Sequence, residues 1–244
     1  MPYPLDPQQR TTWSRDGFVV LPRFVEDDLL NDLRKRINEI VATFANGDLP
    51  AGAATVFSTT EQTHAQDDWF LTSADVIRPF FEKGAFDVDG TLVVNMDRAL
   101  NKLGHAMHDL DPVFNRFSRT PSLAGLAAEL GFVEPLLVQS MVIFKPPHIG
   151  SEVVCHCDHT FLWTEPQSVV GFWFALDDAT VDNGCMWAIP GGHRGGARTR
   201  FRREGSGTIT DVLDPTPYDL SALVPIEASA GTCIAFHGCL PHWS

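Results

Sequence analysis

From Glu134 onward the chain is a series of short apolar runs cut by glycine, proline and aspartate. They are Leu137 to Phe144, Val153 to Cys157, Val169 to Leu176, Cys185 to Ile189, Ile209 to Leu213, Val224 to Glu227 and Thr232 to Phe236. Runs of this length, bounded by turn residues, fit strands better than helices. Strands in such close succession must bury their faces and edges on one another, so the pattern predicts a sandwich or jelly roll. Asp182-Asn183-Gly184 reads as a turn into a strand, and Pro190-Gly191-Gly192-His193 as a tight corner.

The first half reads differently. Leu29, Leu30, Leu33, Ile37, Ile40, Val41 and Phe44 recur at helical spacing, with a stop at Asn46-Gly47. An earlier helix stops at Gly17, before a short strand Phe18 to Leu21 closed by Pro22. Thr120-Pro121-Ser122 opens a helix that runs through Leu130 and ends at Gly131. Small and polar residues over about 49–63 read as a loop, and Asp87 to Gly90 as a turn. Asp67 to Leu71 and Val76 to Phe81 are apolar-rich, and Pro79 disfavours a continuous helix there. His105 and His108 would share a helix face as a pair of partly exposed polar residues, a metal pair being the weaker reading. The expected fold is α+β with a mostly β core, in one domain over residues 1–244. A helical half over about 1–133 would pack on a jelly roll over about 134–244.

A chain of 244 residues bounds the count at one or two domains. Its net charge of -13 argues against a nucleic-acid surface, which needs clustered cations. No apolar run reaches the roughly 18 residues of a membrane span. The opening residues carry no visible secretory signal, so a cytoplasmic setting is expected. Five cysteines form no even framework and are expected as reduced thiols. Cys155 and Cys157 are spaced too closely for a usual zinc site and read as core residues on the far side of a strand.

Between those cysteines lies the chemistry. His156 and Asp158 are two apart, so on a strand they project from one face. The stretch Gly231 to His242 supplies two late histidines, His237 and His242. Two imidazoles and a carboxylate on a β scaffold form the facial triad of non-haem iron oxygenases. The pattern alone leaves open which late histidine completes it.

Further motifs narrow the reading. Gln139-Ser140-Met141-Val142-Ile143-Phe144-Lys145-Pro146-Pro147, His156-x-Asp158, Thr164-Glu165-Pro166, Asp182-Asn183-Gly184-Cys185, Pro190-Gly191-Gly192-His193 and Phe236-His237-Gly238 with His242 follow in order. Upstream stand Phe80-Phe81-Glu82-Lys83-Gly84 and Asn101-Lys102-Leu103-Gly104-His105-Ala106. Over nearly its whole length the chain resembles the phytanoyl-CoA dioxygenases. The resemblance implies a double-stranded β-helix (jelly roll), Fe(II), 2-oxoglutarate and O2, with ascorbate as a possible reductant. It implies iron ligands at His156, Asp158 and His242. It places 2-oxoglutarate contacts at Lys102, Met141, Trp173 and Ser244, with Gln139 nearby. The implied reaction hydroxylates a C–H bond and converts 2-oxoglutarate to succinate and CO2. The implied substrate is a small molecule or a CoA thioester, anionic in some members, with neither nucleic acid nor membrane as partner.

One departure stands out. In the family an arginine beyond the last iron ligand clamps 2-oxoglutarate, as its two-pronged guanidinium suits a carboxylate. Here Ser244 follows two residues after His242, and the expectation is a chain that continues. A missing clamp favours an alternative, a catalytically idle jelly-roll protein binding a metal or oxo-acid; the intact triad opposes it. A third reading is a cupin-like isomerase or a cofactor-independent binder. The run Gly191 to Arg203 holds five arginines and reads either as a solvated loop or as a mobile cationic lid that draws in an anionic substrate.

Overall fold

The structure is a computed structural model that describes residues 4–47, 49, 50, 53, 56, 68–205 and 207–244. Most of the loop expected over 49–63, and Asp67, lie outside the described residues. The helices are α1 (Pro7–Asp16), α2 (Asp27–Ala45), α3 (Asp68–Leu71), α4 (Met96–Ala99), α5 (Met107–Leu110), α6 (Pro112–Ser118) and α7 (Pro121–Glu129). The strands are β1 (Phe18–Leu21), β2 (Ile77–Phe81), β3 (Leu100–His105), β4 (Ser140–Ile143), β5 (Val170–Phe174), β6 (Met186–Ala188), β7 (Thr199–Glu204), β8 (Gly207–Val212), β9 (Val224–Ile226), β10 (Cys233–His237) and β11 (His242–Trp243). The chain divides into two compact units. One is Asp28–Ser151 with residues 1–5, and the other is Asp6–Asp27 with Glu152–Ser244.

The C-terminal unit is built from two small antiparallel sheets, β1-β10-β5 and β11-β6-β9. Period-two alternation sorts their side chains. Ile234 and Phe236 of β10, Phe18 and Val20 of β1 and Trp173 of β5 share one face by register. They pack with Met186 and Ala188 of β6 and Ile226 of β9 in one apolar core. Gly171 lies opposite Phe236, whose ring fills the place of the missing side chain: an added Cβ would sit 2.2 Å from it. β1 reaches this sheet because α1 stops at Gly17, which takes φ 81° and donates its N–H to the Trp13 carbonyl. A hairpin, β7–β8, adds a third sheet.

The N-terminal unit carries α2, whose Leu30, Leu33, Ile37, Ile40 and Phe44 are buried as the helical spacing predicts. It also carries an antiparallel sheet, β2-β3-β4. All six residues of β3 are buried, Asn101, Lys102 and His105 among them. This corrects the reading of His105 and His108 as partly exposed partners on one helix. His105 ends a strand and His108 lies in α5; both are buried, and they bond to different serines, Ser73 and Ser140. The arginine run is corrected too: Thr199 to Glu204 forms β7 instead of a loop.

Candidate metal centre

The backbone brings His156 and His242 together first. Each N–H donates to the other residue's carbonyl, at 3.0 and 2.9 Å, as in a hydrogen-bonded antiparallel pair. Paired residues of this kind put their side chains on one face, and the two imidazole rings lie with centroids 4.3 Å apart. Two residues beyond His156, Asp158 opens a short 3-10 turn, Asp158–Thr160. Its Oδ1 lies 3.6 Å from Nε2 of His156 and 3.6 Å from Nε2 of His242. One donor atom from each of the three residues lies within 4.8 Å of the others.

Which imidazole nitrogen carries the proton follows from the partners. Nδ1 of His156 bonds to the Val154 carbonyl at 2.8 Å, and Nδ1 of His242 to the Leu240 carbonyl at 3.0 Å. A carbonyl only accepts, so both Nδ1 atoms carry hydrogen, and in the neutral tautomer that leaves the Nε2 lone pair facing Asp158. Carbonyl partners of this kind orient metal-binding histidines. Burial pushes His242 down to about 4, with His156 adding to the shift, so its ring is neutral at neutral pH. Burial alone would raise the Asp158 carboxyl, but a hydrogen bond from His156 and the charges that His242 and His156 carry when protonated outweigh it, and the group lies below its ordinary value. Two neutral imidazole lone pairs and one carboxylate suit a divalent transition metal.

His237 fails the same test. Its Nδ1 accepts from the Cys239 N–H at 3.0 Å, which leaves the hydrogen on Nε2. Its ring faces His193, at 5.4 Å, and Trp13, at 6.4 Å. The late histidine in the cluster is therefore His242.

The remaining expected site residues fall in both units. Trp173 lies on the inner face of β5, opposite Ile234 and against the apolar core. Ser244 exchanges backbone hydrogen bonds with Val153. Lys102, Gln139 and Met141 belong to the N-terminal unit. Lys102 is buried opposite Phe80 and Ile143, with Nζ 5.1 Å from the ring centres of Phe70 and Phe80. Burial lowers this ammonium to about 7. Met141 pairs with Gly104 and is half exposed; Gln139 is exposed. The run Val153 to Cys157, expected as a strand, forms only an isolated bridge at His156; beside it Cys157 is fully buried, its thiol donating to the Cys239 carbonyl, and Cys155 is half-buried. All five cysteines are free.

One residue beside the cluster escaped the sequence reading. Phe161 sets its ring edge-on to His156, centroids 6.1 Å apart, and stays 43% exposed. Its position three residues after Asp158 was the available signal.

A two-sheet β unit bearing a His/Asp/His cluster is the architecture of a metal-dependent oxygenase, and the relatives agree. The phytanoyl-CoA dioxygenase (PhyH) family matches residues 13–244, and the chain belongs to that family. It is 42% identical over 240 residues to the phytanoyl-CoA dioxygenase of Arabidopsis thaliana, spanning 98% of this chain and 83% of that protein. It is 44% identical over 248 residues to phytanoyl-CoA dioxygenase domain-containing protein 1 of Bos taurus, spanning 98% and 84%. Among solved structures, EctD from S. alaskensis with 2-oxoglutarate and 5-hydroxyectoine superposes with TM-score 0.66 at 21% identity, over 99% of this chain and 70% of that one. The non-heme alpha ketoglutarate dependent carbocyclase SnoK from nogalamycin biosynthesis superposes with TM-score 0.58 at 18% identity, over 98% and 77%. At these identities the structural likeness shows the fold. No helix among the described residues is long and apolar enough to cross a membrane.

Proposed function

We propose that this chain is an Fe(II)- and 2-oxoglutarate-dependent dioxygenase that hydroxylates a C–H bond of a small molecule or acyl-CoA-like substrate. The two face-to-face sheets support a double-stranded β-helix, and residues 1–244 act as one catalytic domain. The observation that carries the reading is the free Nε2 of His156, the free Nε2 of His242 and the Asp158 carboxylate facing one another, each imidazole oriented by a backbone carbonyl.

In this reading His156, Asp158 and His242 hold the iron and leave its other positions to 2-oxoglutarate and O2. Bound iron supplies the oxygen chemistry: 2-oxoglutarate goes to succinate and CO2, and one oxygen atom goes into the substrate. The rest is positioning. Lys102 offers a cation to a carboxylate of 2-oxoglutarate, and Ser244 offers a hydroxyl. Trp173 offers an apolar wall in the C-terminal unit, and the resemblance adds Met141 and Gln139 of the N-terminal unit to the contacts. The neutral state of His242 keeps protons from competing for its lone pair at neutral pH.

Incubation with Fe(II), 2-oxoglutarate and ascorbate under air tests the proposal. Succinate should form, and Asp158→Ala should abolish it. Fe(II) binding without succinate would favour the idle binding protein; no Fe(II) binding would sink both readings.

A further inference from the structure

We infer that Phe161 is a substrate-contacting residue and that the substrate presents an apolar, alkyl or alicyclic, segment to the metal centre. The inference rests on the oxygenase reading and adds a substrate class to it. Three observations carry it.

The first is place. Phe161 closes the turn that Asp158 opens, its N–H donating to the Asp158 carbonyl at 3.0 Å. Its ring meets the imidazole of His156 edge-on, tilted by 67°. The second is exposure. Among the described residues no other phenylalanine is as exposed. Single exposed apolar side chains are common on protein surfaces, so exposure alone would mean little.

The third observation separates this ring from ordinary surface: it is braced from behind. Phe201 of β7 stacks against it at 5.7 Å. One residue before Phe161 and two before Phe201, the hydroxyls of Thr160 and Thr199 bond at 3.2 Å. The hairpin that carries Phe201 is locked in turn. Arg202 grips Asp211 across the strands with two bonds, at 2.6 and 3.1 Å. Arg198 donates to the Thr216 carbonyl at 2.5 Å and lies over the Tyr218 ring. Arg200 lies over the Trp163 ring, 4.6 Å from its centre. These arginines build and seat the hairpin, which assigns the run a bracing role in place of a mobile lid. An aromatic face fixed beside the cluster, with its open side in water, gains free energy when an apolar group covers it. A charged or heavily hydroxylated segment in that place would lose hydration with no polar partner on the Phe161 face.

The test uses the full chain loaded with Mn(II), with 1-octanol as apolar probe and triethylene glycol as a polar probe of similar length. Paramagnetic broadening of probe protons, relative to the Zn(II)-loaded chain, reports binding near the metal. Octanol should be broadened and triethylene glycol should not. Phe161→Ala should weaken octanol about tenfold, the order expected for losing one aromatic face. Phe161→Leu should stay within about threefold of the parent for the same reason. Mn(II) affinity should be unchanged in both. Should Phe161→Ala fail to fold, Phe161→Gln carries the same expectation as the alanine variant. Octanol binding that ignores Phe161, or triethylene glycol binding as well as octanol, overturns the inference. A chain that takes up no Mn(II) sinks the metal reading alone; saturation transfer to octanol on the metal-free chain then reads the dependence on Phe161 with the same expected outcomes.

Discussion

The cluster at Asp158 in the C-terminal unit and the stretch around Lys102 in the N-terminal unit both bury ionisable groups, but to different ends. At Asp158, where His242 is buried and His156 and Asp158 are half-buried, the three groups face one another and both imidazoles bond to the backbone. Two carbonyls fix the imidazoles, and the carboxyl beside them lies below its ordinary value. The donor set is ready before any metal arrives. Lys102 lies instead among Phe70 and Phe80, where burial lowers its pKa to about 7. Burial thus weakens its charge near neutral pH, and a nearby anion would raise its pKa again. A candidate donor set shows itself in geometry alone, whereas the charge of a buried amine depends on what surrounds it.

The largest effect should come from breaking the first region. Asp158→Ala should lower Fe(II) affinity by more than about a hundredfold, beyond the loss typical of an outer-shell partner. Equilibrium dialysis measures this, and retained affinity would mean that the two imidazoles suffice.

The second region predicts a pH effect. With a folded pKa of about 7 against an ordinary 10.5, the folded chain binds fewer protons than the unfolded chain between those values. Stability should therefore rise with pH from about 7 upward, and Lys102→Met should flatten that rise. Urea midpoints at several pH values measure it. If Lys102 meets a carboxylate of 2-oxoglutarate, binding near pH 7 should also take up about half a proton. Calorimetry in buffers of different ionisation enthalpy reads that number. A value of zero would leave Lys102 outside the cosubstrate site.

The smallest effect should come from His237→Gln. Its ring has the opposite tautomer and faces His193 and Trp13, so Fe(II) affinity should change less than about threefold, well short of the loss of an outer-shell partner. A loss as large as that of Asp158→Ala would reassign the late ligand.

Much of this architecture was legible in the residues. The apolar runs gave β4, β5, β6, β8, β9 and β10 to within a few positions, because each alternates or buries apolar side chains between clear turns. Four strands escaped, the two-residue β11 among them. β2 contains Pro79, which argues against a ladder; β3 buries Asn101, Lys102 and His105, polar residues that hide an apolar strand pattern. In β7 the alternation of Thr199 and Phe201 with Arg200 and Arg202 was hidden by the charge of the run. Spacing on a strand paired His156 with Asp158; in the structure His156 sits in an isolated bridge and Asp158 opens a 3-10 turn, and the two still face one another. The choice of His242 over His237 did not follow from spacing, because it turns on which ring nitrogen meets a carbonyl. Phe161 went unread because its meaning comes from Phe201, forty residues further along the chain.

The central claim is that one metal ion sits on Nε2 of His156, Oδ1 of Asp158 and Nε2 of His242. Anomalous diffraction at the iron edge, from crystals grown anaerobically with Fe(II), tests it directly. The account predicts a single strong peak about 2.0–2.3 Å from each of those three atoms. A peak between His193 and His237, or none near Asp158, would contradict it.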